Sequence, residues 1–126
     1  MEWTFKNGVP IYQQIIQTMQ IRIAGGIYAK GEKLPAVREL AIEAGVNPNT
    51  MQRALAELER DRILYTARTS GRFVTEDEKV LEDMRHDLSV QYIRELYEKL
   101  EQLGMRDDEI ETAVRDFGKK QGTADN

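Results

Sequence analysis

The stretch Val37-Arg38-Glu39-Leu40-Ala41-Ile42-Glu43-Ala44-Gly45-Val46-Asn47-Pro48-Asn49-Thr50-Met51-Gln52-Arg53-Ala54-Leu55-Ala56-Glu57-Leu58 decides the fold. Val37, Leu40 and Ala41 mark the inner face of a short helix that Gly45 ends. Asn47 is a good N-cap, and Pro48 falls at the first helical position, where its missing N–H costs nothing, so a second helix starts at once. Met51, Ala54, Leu55 and Leu58 recur at i, i+3, i+4 and i+7 and give that helix its buried stripe. Two short helices parted by Ala44-Gly45-Val46 read as a helix-turn-helix.

Upstream, residues 1–9 form an arm carrying Trp3 and Phe5. Pro10 then opens a helix whose stripe is Tyr12, Ile15, Ile16, Met19 and Ile23, stopped by Gly25-Gly26. A connector punctuated by Gly31 and Pro35 follows. Downstream, Ile63 to Arg68 and Arg72 to Thr75 are strand-forming runs around a Thr69-Ser70-Gly71 turn. Three helices followed by a hairpin make a winged helix-turn-helix. From Glu76 the helical period runs unbroken to Leu103, a helix of roughly 40 Å. Gly104 breaks it. A last helix opens on Asp107-Asp108-Glu109, carries Ile110, Ala113, Val114 and Phe117, and is expected to fray from Gly118. The expected fold class is mainly α with a small β-hairpin: a winged helix-turn-helix over residues 1–75, then a two-helix region over 76–126.

Composition narrows the function. Among 126 residues there is no Cys and one His, which leaves no thiolate or histidine metal set and no nucleophile–base machinery, so an enzyme is not expected. No cofactor is implied. Glu82, Asp83, His86 and Asp87 share a helix face, which reads as a solvated acidic surface and not a metal site. Met1-Glu2-Trp3-Thr4 lacks a secretory leader pattern and no run approaches 18 apolar residues, so a cytoplasmic protein without a membrane partner is expected. The net charge of −4 hides a division. Residues 1–75 hold ten Lys/Arg against seven Asp/Glu, or +3; residues 76–126 hold eight against fifteen, or −7.

In a helix-turn-helix the second helix enters the major groove by its N-terminal end. The residues exposed there are Asn47, Pro48, Asn49, Thr50, Gln52 and Arg53. Asn and Gln can pair with adenine, Thr can touch a thymine methyl or a phosphate, and Arg suits guanine or phosphate. Arg38 reaches toward the same groove, and Arg68, Thr69, Gly71 and Arg72 form a wing tip shaped for the minor groove or phosphates. Each residue also has a plain reading: Asn47 as a cap only, Arg53 paired with Glu57, Arg72 paired with a nearby acid. Winged helices also serve as protein-interaction modules without DNA function.

The residues resemble a known family. Pro10-Ile11-Tyr12-Gln13-Gln14-Ile15, Gly31-Glu32-Lys33-Leu34-Pro35-Ala36-Val37-Arg38-Glu39-Leu40-Ala41, Gly45 to Ala54, Leu58-Glu59-Arg60 and Gly71-Arg72-Phe73-Val74 together resemble the GntR family of bacterial transcription regulators. Asn47-Pro48-Asn49-Thr50 followed by Gln52-Arg53, with the short two-helix tail, is especially similar to the YtrA subfamily. The resemblance implies a homodimeric repressor on double-stranded inverted-repeat operator DNA. Arg38, the start of the third helix and the wing between Arg68 and Arg72 would be its contacts. It also implies an unknown small-molecule effector and, for this subfamily, control of ABC transporter genes. Ala36 stands where the family often has Ser, Arg62 where it often has Gly after the third helix, and Thr69 where the wing often has Gly.

The long acidic tail has no large partner within the chain. A second copy would cover its apolar stripe, so Leu81, Met84, Leu88, Tyr92, Leu96, Leu100 and Phe117 are the expected dimerisation residues. The alternative is that Tyr92, Leu96 and Leu100 fold back onto the first helix.

Overall fold

The computed structural model describes residues 2–68 and 70–124. In chain order these form α1 (Ile11–Ala24), α2 (Val37–Ala44), α3 (Pro48–Arg60), β1 (Leu64–Ala67), β2 (Gly71–Val74), α4 (Glu78–Glu101) and α5 (Asp107–Ala124). They divide into two compact units between Arg85 and His86, so the first unit takes the opening turns of α4 with it.

In the first unit α3 is the hub, packed on α1, α2 and β1. Its apolar stripe does this: Met51, Ala54, Leu55 and Leu58 are buried against a core that includes Ile15, Met19, Leu40, Leu64 and Val74. α2 ends where the sequence demands it. Gly45 has φ 69°, and the N–H groups of Gly45 and Val46 close back on the carbonyls of Ile42 and Ala41. A left-handed residue at this point is the usual glycine position of a helix end. α3 then starts on the Asn47 side chain, which accepts from the Asn49 N–H at 2.7 Å.

The hairpin pairs Leu64 with Val74, Tyr65 with Phe73, Thr66 with Arg72 and Ala67 with Gly71. The connector before α2, read above as a plain link, adds a third rung. Lys33 bridges to Phe73, the Gly31 N–H donates to Val74, the Val74 N–H to Glu32, and the Leu34 N–H to Arg72, at 2.9–3.0 Å. The wing root is therefore tied to the segment that leads into α2. The arm is tied down as well. Buried Arg22 lies 4.2 Å from the Trp3 ring, 3.5 Å from Glu43, and donates to the Glu2 carbonyl, while the Trp3 indole N–H donates to Glu43.

Two helices differ in extent from expectation. α4 runs over 78–101, not 76–103, because the Asp77 carboxylate accepts from the Lys79 N–H and fixes the start, and Gly104 at φ 81° closes the end. α5 does not fray at Gly118; it continues to Ala124. Each interior glycine costs only about 1 kcal/mol, and Lys119, Lys120 and Gln121 are good helix formers.

Candidate nucleic-acid interface

α3 turns one face inward and leaves the other to solvent. Asn47, Pro48, Asn49, Gln52 and Arg53 are exposed and Thr50 is half-buried. The inner stripe fixes this orientation, since Met51, Ala54 and Leu55 cannot leave the core without exposing apolar surface. Arg38 is exposed on the first turn of α2, behind Ala36, whose side chain makes no cap hydrogen bond. At the wing tip Arg68 is exposed and Gly71 has φ 105°. Thr69 lies outside the described residues.

The plain readings resolve one by one. Asn47 does cap its helix. Arg53 does not pair with Glu57, which instead binds Arg60 at 3.2 Å; the Arg53 guanidinium lies 3.7 Å from the centre of the Tyr12 ring on α1. A flat guanidinium on an aromatic face is an attractive and orienting contact. Arg72 does have a nearby acid. Its side chain is 16% exposed and its Nε donates to Glu59 Oε1, so it is not a free wing-tip cation like Arg68.

Glu59 therefore organises this end of the interface. It also accepts from the Thr66 hydroxyl at 2.6 Å. Burial pulls its carboxyl upward, but the hydrogen bonds from Thr66 and Arg72 and the charge of Arg72 outweigh that and hold it below the usual carboxylate value. Arg72 then reaches back to α3, where its Nη1 donates to Gln52 Oε1 at 3.2 Å. Sequence reasoning named Gln52 and Arg72 but missed Glu59, Thr66 and Tyr12. A signal was present: Gln52 and Glu59 are seven residues apart, two turns on one helix face, and Thr66 faces Arg72 in the hairpin register.

The expected dimerisation residues split by burial. Met84 and Leu88 are buried in the single chain, Leu81 and Leu100 are half-buried, and Tyr92, Leu96 and Phe117 are exposed. Within the second unit Ile93 and Val114 are exposed with them. Among the described residues no group of His, Asp and Glu is arranged to hold a metal ion, and no helix is long and apolar enough to cross a membrane.

The family model for bacterial regulatory proteins of the gntR family matches residues 11–74, the span that carries the helix-turn-helix and its wing. The chain belongs to the GntR family. Among GntR relatives, the uncharacterized HTH-type transcriptional regulator YhcF of Bacillus subtilis is 32% identical over 93% of this chain and 97% of its own. The HTH-type transcriptional repressor YtrA of the same organism is 46% identical over 59% of this chain and 57% of its own. A GntR family transcriptional regulator from Listeria monocytogenes superimposes with a TM-score of 0.80 at 38% identity, covering 89% of this chain and 98% of that one. The AraR DNA-binding domain in complex with operator ORX1 superimposes with a TM-score of 0.55 at 26% identity, covering 60% of this chain and 96% of that one. This GntR protein is a transcriptional regulator with a winged helix-turn-helix, and not an enzyme.

Proposed function

We propose that the protein is a homodimeric repressor that reads an inverted-repeat operator with α3 and the wing. The observation that carries this reading is the exposed N-terminal face of α3, held rigidly by its buried stripe and flanked by Arg38 and the hairpin. Asn49, Gln52 and Arg53 then meet base edges, and Asn47, Pro48 and Thr50 line the approach of the helix to the backbone. Arg38 holds a phosphate, and Arg68, Thr69 and Gly71 carry the wing into the minor groove. Arg72, paired with Thr66 one step from the tip of the hairpin, orients its neighbours.

Repression is supported by similarity to the repressor YtrA, operator binding by similarity to the AraR domain in its operator complex. Residues 1–75 serve as the reading half and 76–126 as the dimerising half, whose helices leave Tyr92, Ile93, Leu96, Val114 and Phe117 exposed. The work is done in the cytoplasm. Control of an ABC transporter operon follows from similarity to the YtrA subfamily, and response to a small-molecule effector from similarity to the wider GntR family.

Fluorescence anisotropy on duplexes from the region upstream of its own gene tests the reading. One duplex binds far more tightly than random DNA, with log affinity falling against log salt by about 0.9 per phosphate neutralised. A protein that binds no duplex better than random DNA is an interaction module instead.

A further inference from the structure

The contact between Arg72 and Gln52 fixes which half of the Gln52 amide is free. A guanidinium carries only donors, so the amide must turn its oxygen to Arg72, as it does at 3.2 Å. The amide nitrogen, with two N–H groups, is the half left to solvent on the exposed side of α3. Arg72 cannot swing away cheaply, because Glu59 holds its Nε and is itself held by Thr66. Thr66 and Arg72 are paired across the hairpin, so the wing as a whole braces the glutamine.

Glutamine ordinarily reads adenine with both halves of its amide: the oxygen accepts from N6 and the nitrogen donates to N7. Here a base N–H approaching the same oxygen meets the N–H groups and positive charge of Arg72, donor against donor. The oxygen keeps a second lone pair, but the unhindered half of the amide is its donor, and an edge with acceptors alone suits it: guanine offers two, N7 and O6. We propose that the Glu59–Arg72 pair makes Gln52 a guanine reader, with Arg72 as its positioning residue. This rests on the DNA-reading role assigned to α3 above, and deepens it to the base read.

Selection of duplexes from a random-sequence pool by the full chain, followed by sequencing, tests it. The wild type enriches a two-fold motif, and Gln52→Ala flattens one position in each half-site, which identifies the Gln52 position. That base is guanine. Arg72→Leu, shown folded by its circular dichroism melt, frees the oxygen and moves the preference at that position alone toward adenine by about fivefold or more. Replacing that guanine by 7-deazaguanine, which removes the N7 acceptor, weakens wild-type binding and leaves Gln52→Ala binding unchanged, whether or not Arg72→Leu folds. Adenine at the Gln52 position, a Gln52→Ala motif identical to the wild type, unchanged guanine preference in folded Arg72→Leu, or indifference of the wild type to 7-deazaguanine overturns the proposal while sparing the DNA-reading role. A wild type that enriches no motif overturns both.

Discussion

Arg62, two residues beyond the end of α3, has φ 65°, and the N–H groups of Arg62 and Ile63 close back on the carbonyls of Glu59 and Leu58. The same closure ends α1, α2 and α4, but there the left-handed residue is Gly26, Gly45 or Gly104. A side chain with a Cβ is strained in that conformation by roughly 1–2 kcal/mol, partly offset by the lower unfolded-state entropy of a non-glycine residue. Arg62→Gly therefore stabilises the first unit by about 1 kcal/mol, read as a higher midpoint in urea unfolding at unchanged slope. Glu59 gives the second prediction at this scale. Its folded-state pKa lies below its ordinary value of 4.5. The stability it adds is fully present above that ordinary value and is lost as pH falls through the lowered one. The stability gap between wild type and Glu59→Gln is thus widest near about pH 7 and closes toward about pH 3. A gap independent of pH would mean that Glu59 acts by shape and not by charge.

At the scale of elements, what the sequence reveals follows from how local the cause is. α1, α2 and α3 are legible because caps, breakers and stripes lie within each segment: Pro10, Gly25-Gly26, Gly45 and Asn47-Pro48 mark their ends. The hairpin is legible from its strand-formers and turn residues. The rung from Lys33 to Phe73 is not, because it joins a connector to a strand 40 residues on. The burial of Arg22 is equally hidden, since Trp3, Glu2 and Glu43 come to it from distant parts of the chain. The site was half-read for the same reason. Periodicity exposes Gln52 and Arg53, but only tertiary pairing shows that Tyr12 holds one and Arg72 the other. Tyr12→Ala frees Arg53 from its ring and weakens specific DNA binding by about 1 kcal/mol or less, while Tyr12→Phe, which keeps the aromatic face, binds as the wild type.

For the molecule as a whole, charge is divided along the chain. The half with net charge +3 carries most of the buried core; the half with −7 carries exposed Tyr92, Leu96 and Phe117. An acidic surface is repelled by phosphate, so on the proposed function the basic half is the one that faces DNA. Leu96→Asp combined with Phe117→Asp places charges on two of these exposed apolar residues and gives the mass of one chain by light scattering, where the wild type gives two. The core residues of the first unit are untouched by this change, so its melting behaviour is retained. The most direct test of the account is the affinity of a selected duplex for the double variant Gln52→Ala/Arg53→Ala, compared with random DNA at the same salt. Each substitution costs on the order of 1–3 kcal/mol of specific binding. The double variant stays folded and dimeric and binds the selected duplex hardly better than random DNA. Unchanged affinity for the selected duplex would contradict it.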